Sequence, residues 1–255
     1  MEPTAAAFER IVCGIDGTPQ SLEALAQAQR LLAPAGRLEL VTVADVSVAV
    51  HAGWAATHVF DEIVTAARDA AARAAEHAPA AATCVLEGEP ARSLLQEIAR
   101  EQATLVALGT HGHRRSAGLV LGNTATTLLH EAPCAVLIAR PPLAEDRFPS
   151  SVVVGVDGSA HSRNALDVAR AVATRFSVPL NVVCAGGGKA VSGRDLRGVT
   201  DLVWDERRPV DALVAAGQRA DLLVVGSRGL HGFSALGSVS ERVAHRSRSS
   251  VLVVR

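Results

Sequence analysis

Apolar and polar residues along the 255-residue chain follow two rhythms. Short apolar runs occupy residues 10–15, 38–43, 83–86, 105–108 and 135–139, and each predicts a strand. Between them the apolar spacing is helical. Residues 19–32 place Leu22, Leu25, Ala28 and Leu32 on one face, and residues 61–77 are rich in alanine. Residues 90–101 begin with Pro90 at a favoured first-turn position, and residues 124–130 give a further short helix. Strands separated by helices demand parallel β-α-β crossovers, so the pattern predicts a doubly wound α/β sheet.

The pattern then repeats. Ile11-Val-Cys-Gly-Ile-Asp-Gly-Thr18 returns as Val152-Val-Val-Gly-Val-Asp-Gly-Ser159. Leu105-Val-Ala-Leu-Gly109 returns as Leu222-Leu-Val-Val-Gly226, and Cys134-Ala-Val-Leu-Ile-Ala-Arg140 as Ser249-Ser-Val-Leu-Val-Val-Arg255. The order is kept while the spacing shrinks, which indicates a duplicated domain with deletions in its second copy. Most of the loss falls between Asp157 and Pro209, the match of Pro90. Most of the long second helix has no counterpart there, and Gly186-Gly-Gly-Lys-Ala-Val-Ser-Gly193 stands in its place. The expected division is a first domain at 1–140, a polar, proline-rich hinge at 141–149 and a shortened second domain at 150–255. The apolar runs 136–138 and 251–253 are predicted to end each sheet. Exposed edges invite aggregation, so the two copies are expected to cover each other as an internal pseudo-dimer, with a further homodimer left open.

Composition narrows the function classes. Apolar residues make up 49% and charged residues 20%, a globular balance. The formal charge is −1, from 25 basic and 26 acidic residues, so no net field draws the chain to nucleic acid or an anionic membrane. Aromatics are 3%, with no tyrosine, which argues against a base-stacking platform. Cys13, Cys84, Cys134 and Cys184 stand singly in apolar stretches and read as core thiols. No apolar stretch near the start reads as a secretory signal, and the uncharged stretch 46–60 is too short and too polar to span a membrane. A cytoplasmic protein is the expectation.

In an open parallel sheet, ligands bind beyond the carboxyl ends of the strands where the strand order reverses. Gly14-Ile15-Asp16-Gly17-Thr18 and Gly155-Val156-Asp157-Gly158-Ser159 mark two such ends. Their aspartates can accept hydrogen bonds from a ligand; equally, Asp-Gly turns the chain and Thr18 or Ser159 caps the next helix. Gly109-Thr-His111-Gly112, nine residues and then Gly122-Asn123-Thr124 mark a third. Glycines allow backbone amides to approach an anion, and Gly122 opens a helix whose N–H groups face the same space. A phosphate is the natural guest. A helix end contributes only about 0.3–1 kcal/mol to an anion, whereas a micromolar ligand needs about 8 kcal/mol, so an enclosed pocket must supply the rest. The second copy has Gly226-Ser-Arg228-Gly229, seven residues and then Gly237-Ser238, with Ser238-Val239-Ser-Glu241 reading as a capping box. His111 and His113 lack neighbouring ligands for a metal, and Arg114 and Arg115 read as solvated loop charges. A phosphate-binding G-x-x-x-x-G-K-[S/T] loop, a G-x-G-x-x-G after the first strand and a complete nucleophile elbow are all missing.

Through these motifs, over essentially its whole length, the sequence resembles the universal stress protein family in tandem form. The carrier is G-x2-G-x9-G-[S/T] following an apolar strand. The first copy departs from it at Asn123, and the second has a loop two residues short. The resemblance implies two flavodoxin-like domains, each a five-stranded parallel sheet of order 3-2-1-4-5. It implies ATP as ligand, with magnesium allowed as its counter-ion. Adenine is expected near Asp16 with Val43, and near Asp157 with Cys184. Ribose and phosphates are expected at Gly109, His111, Gly112, Gly122, Asn123 and Thr124, and at Gly226, Arg228, Gly229, Gly237, Ser238 and Val239. Gly14, Ile15, Gly17, Thr18, Leu108, Gly158 and Ser159 complete the expected sites. The implied role is a nucleotide-binding stress or regulatory protein with protein partners the sequence does not name, and not an enzyme. The alternatives are a slow ATPase or phosphotransferase, and a ligand-free interaction module. The fuller loop and intact second helix predict tighter ATP binding in the first half.

Overall fold

The computed structural model describes residues 8–46, 56–110, 121–143, 147–185, 199–227 and 237–255. The first half runs β1 (Phe8–Ile15), α1 (Pro19–Leu31), β2 (Leu32–Ala44), α2 (Ala56–His77), β3 (Ala82–Glu87), α3 (Pro90–Arg100), β4 (Leu105–Leu108), α4 (Asn123–Glu131) and β5 (Ala135–Ile138). The second runs β6 (Val152–Gly155), α5 (Ala160–Phe176), β7 (Leu180–Ala185), β8 (Asp201–Asp205), α6 (Pro209–Gly217), β9 (Leu222–Gly226), α7 (Ser238–Arg246) and β10 (Ser250–Val254).

All ten strands form one sheet in the order β3-β2-β1-β4-β5-β10-β9-β6-β7-β8. Each half therefore has the order 3-2-1-4-5 expected from the sequence, with parallel neighbours throughout. The halves meet where β5 and β10 pair antiparallel, Val136 with Val253, Leu137 with Leu252 and Ile138 with Val251. Leu137 thus faces its own repeat, and a pseudo-twofold relation passes between them. All six of these side chains are fully buried, so neither apolar edge is left open.

Alternation along the strands builds two cores. Ile11, Cys13 and Ile15 join Leu25 and Ala28 of α1, Ala74 of α2 and Leu166 and Ala169 of α5 on one face. Val12, Val106 and Val136 join Leu94 and Ile98 of α3, Leu128 of α4, Leu213 of α6 and Val243 of α7 on the other. Each core runs across both halves. The four cysteines are free; Cys13, Cys134 and Cys184 are buried and Cys84 is partly so. Among the described residues no helix is long and apolar enough to cross a membrane.

Three features differ from the sequence pattern. β2 starts at Leu32 directly after α1, ahead of the expected residue 38. The early part pairs only through Phe8 and Leu32, ahead of an irregularity that precedes the regular ladder from Arg10 and Arg37. Pro34 lies in that early part and so interrupts no regular ladder hydrogen bond. Second, the linker 141–149 is held in place where it is described. The buried Asp221 accepts hydrogen bonds from the backbone N–H groups of Leu143 and Ser150, both at 2.7 Å, and Phe148 is buried in the core. Third, β8 is more open than its match β3. Val85 on β3 packs beside Val64 and Ala67 of α2. Trp204 holds the equivalent register on β8, opposite Cys184 as Val85 is opposite Thr42, and is 54% exposed.

Candidate functional site

Two cavities open at the carboxyl ends of the strands, one in each half. The first, of about 430 Å³, lies between the ends of β1, β2 and β4 and the starts of α3 and α4. The second, of about 350 Å³, lies at the equivalent place in the other half. Both fall in the range of small-molecule sites.

The floor of the first is apolar, with Val41, Val43, Leu94 and Leu108. Gly14, Ile15 and Asp16 come from the end of β1, and Gly109 and Thr110 from the end of β4. Gly122, Asn123, Thr124 and Ala125 bring in the first turn of α4. The Gly122 N–H donates to the Thr110 carbonyl at 2.8 Å, which ties that turn to the end of β4. Ser21, Asp45, Glu89 and Pro90 also line the cavity, and the sequence pattern did not single them out as site residues.

Asp16 borders the cavity, and its Oδ1 also accepts from the Thr18 N–H at 3.0 Å and from its hydroxyl at 2.5 Å. Thr18 caps α1 by accepting from the Ser21 N–H. Gly17 takes φ +79°, and a Cβ there would lie 3.0 Å from Ala70 of α2. Gly17 and Thr18 shape the turn and do not line the cavity. Of the two readings of Asp-Gly-Thr, they follow the turn and cap. Gly158, at φ +80°, repeats this in the second half, whereas Ser159 both caps α5 and lines the second cavity.

Gly109 lines the cavity and also meets a packing demand. A Cβ there would come within 2.9 Å of the backbone of Gln20 on α1. At Gly226 it would lie 2.4 Å from the carbonyl oxygen of His161, the repeat of Gln20. These glycines let the strand end pass under the helix start, which is a packing demand.

The second cavity is lined by Val156, Asp157, Ser159, His161, Ser162, Val183, Ala185, Leu213, Val225, Gly226, Gly237, Ser238 and Val239, with Gly155, Pro209 and Ser240. Cys184 is not among them; it is 2% exposed and points into the opposite core. Gly14 pairs with Val41 as Gly155 pairs with Val183, so the repeat of Val43 is Ala185. Cys184, expected beside the adenine, falls one residue short of that position, and the strand period of two turns it to the opposite face. His111, Gly112, Arg228 and Gly229, with His113, Arg114 and Arg115, lie outside the described residues.

The helix starts carry the electrostatics. α1, α3 and α5 are capped by the side chains of Thr18, Glu89 and Ser159. α4 and α7 begin after Gly122 and Gly237 and have no side-chain cap. Asn123 and Ser238 are the first helical residues and not the caps, so the capping box expected from Ser238 to Glu241 does not form. The first-turn N–H groups of α4 and α7 therefore border the cavities without a side-chain acceptor, the arrangement that favours an anion.

Glu39, Cys84 and Glu97 bring three potential ligand atoms within 4.8 Å of one another, away from both cavities. Arg100 already fills this cluster, bonding to Glu97 and, at 3.1 Å, to Glu39.

The chain resembles known proteins along its length. The universal stress protein family profile matches residues 7–140 and 187–255. Universal stress protein Rv2623 of Mycobacterium tuberculosis is 32% identical over 185 residues, covering 61% of this chain and 62% of that protein, less than two thirds of its length. Universal stress protein Mb2019 of Mycobacterium bovis is 29% identical over 303 aligned residues, covering 96% of this chain and 94% of that one. A universal stress protein from Archaeoglobus fulgidus shares the fold with a TM-score of 0.75 at 21% identity, covering 96% of each chain.

Proposed function

This chain belongs to the universal stress protein family, and we propose that its two cavities bind adenine nucleotides, with ATP as the expected ligand, and that the protein is a nucleotide-responsive regulator. The observation that carries this reading is the pair of uncapped helix starts at Gly122 and Gly237, each set beside an apolar-walled cavity. The wall of Val41, Val43, Leu94 and Leu108 suits a planar base, and Asp16 at the end of β1 offers it an acceptor. Thr110, Asn123 and Thr124 offer hydroxyl and amide groups beside the helix start to a ribose and phosphates. Magnesium enters this reading as the counter-ion of the phosphates. The pairing of β5 with β10 leaves the two cavities in one continuous sheet, so occupancy of either is read by a single body.

Native mass spectrometry of the purified full chain tests the reading. A mass increment of one or two adenine nucleotides, restored by ATP after stripping, supports it. A stripped chain that takes up no nucleotide from millimolar ATP overturns it. Release of ADP at a steady rate would instead favour the hydrolytic alternative.

A further inference from the structure

The helix starts beside the two cavities carry opposite charges at one equivalent position: Glu89 lines the first cavity, and Arg208 is exposed next to Pro209, which lines the second. Pro90 starts α3 and lines the first cavity; Pro209 starts α6 and lines the second. The residue before each is the helix N-cap, Glu89 in one half and Arg208 in the other. Resting on the nucleotide reading above, we infer that Glu89 and Arg208 are specificity-determining residues that give the halves opposite phosphate preferences. The first cavity favours adenine ligands with few phosphates, and the second favours those with several.

Glu89 lines the first cavity and is held there. Its Oε1 accepts from the Ala91 N–H at 3.0 Å and its Oε2 from the Arg92 N–H at 2.8 Å. The protein's own carboxylate thus takes the anion position at the start of α3 and leaves a fixed negative charge in the wall. A phosphate chain growing from α4 across the cavity meets that charge, and each added phosphate increases the repulsion.

In the second half no side chain caps α6, and Arg208 is exposed at its start. Among the described residues the charges beside these helix starts match, while Asp45, whose repeat is Gly187, adds a further carboxylate to the first cavity. Asp157 repeats Asp16, and Glu206 repeats Glu87. Arg207, which replaces Gly88, is paired with Asp205 at 2.5 Å. α7 starts as α4 does, without a side-chain cap. The net difference at this helix start is therefore Glu89 against Arg208. It acts on phosphate number and not on the base, so it opposes the tighter ATP binding that the fuller loop and second helix predict for the first half.

Amide chemical-shift titration of the stripped full chain separates the cavities, with Asn123 and Thr124 reporting the first and Ser238 and Val239 the second. Adenosine, AMP and ATP are titrated at low salt, with and without magnesium, into the wild type, Glu89→Gln and Arg208→Gln. Glu89→Gln keeps a side-chain oxygen to cap α3, and its thermal unfolding is checked beside the wild type. The expected result is an ATP affinity at the first cavity raised about fivefold by Glu89→Gln, with adenosine changed less than about twofold. Arg208→Gln is expected to lower ATP affinity at the second cavity by a similar factor and to spare adenosine. Equal effects on adenosine and ATP, no effect on either, or an ATP affinity lowered by Glu89→Gln in magnesium would each overturn the inference while leaving the nucleotide reading in place. Amides that respond to none of the three ligands would overturn both.

Discussion

The guanidinium of Arg140, which follows the last strand of the first half, sits on the last turn of α7 in the second half, its Nη2 donating to the Ala244 carbonyl at 2.5 Å. The relation is reciprocal. Arg255, the repeat of Arg140, donates from Nη2 to the carbonyl of Leu129 on α4 at 2.7 Å. Each half thus places a cation on the negative end of the helix whose positive end borders the other half's cavity. Arg140 is 6% exposed, and burial lowers its pKa to about 10, which leaves it charged at neutral pH.

Replacing Arg140 by Met keeps much of the buried stem but removes the guanidinium from the Ala244 carbonyl, while the Ser249 carbonyl keeps the Ser247 hydroxyl as a donor. The expected loss of stability is about 2–4 kcal/mol, in the range for buried polar groups left unpaired. Arg255→Met should cost less, because Arg255 is only partly buried. Denaturant unfolding of the two variants checks this; equal and negligible losses would remove the cross-half caps from the account.

Gly226→Ala should destabilise more than Gly109→Ala. The new Cβ would meet backbone in both, at 2.4 Å from the His161 carbonyl oxygen in one and 2.8 Å from the Gln20 carbonyl carbon in the other. Neither neighbour is a flexible side-chain tip, so the strand end must shift, at about 1–3 kcal/mol for each. Thermal unfolding gives the order, and a variant as stable as the wild type would show that the helix start yields freely.

Glu39 is held above the ordinary glutamate range, at about 7, by burial first and by Glu97 next. Arg100 holds Glu97 below that range. A carboxyl whose pKa rises on folding makes the folded state bind more protons than the unfolded chain between its two pKa values. Stability from this group is therefore full below about 4.5 and is lost as pH rises toward 7. Glu39→Gln lacks this dependence, so its stability relative to the wild type should climb across that window and level off above it. Parallel stability curves from pH 4.5 to 8 would contradict the shift.

The fold was largely legible because duplication supplies two readings of one pattern. The strand-Asp-Gly-Thr start, the Pro90 and Pro209 helix starts and the apolar last strands each appear twice, and all fall where the alternation placed them. Pairing of Leu137 with Leu252 follows from the need to cover two apolar edges. Local chemistry was less legible. Asn123 and Ser238 look like caps, yet the glycine before each takes the extended cap conformation and pushes them into the helix. Glu89 is outside the usual set of cap residues, so only its place before Pro90 could have marked it. The identity of Ala185 as a lining residue needed the strand register, which the shortened second copy obscures.

Calorimetric titration of the stripped full chain with ATP tests the central claim most directly, repeated with Asp16→Ala and Asp157→Ala, one substitution in each cavity. The account predicts saturable binding in the wild type, with each substitution removing the binding of its own half and sparing the other. ATP heats indistinguishable from dilution, or saturable binding that neither substitution alters, would contradict it.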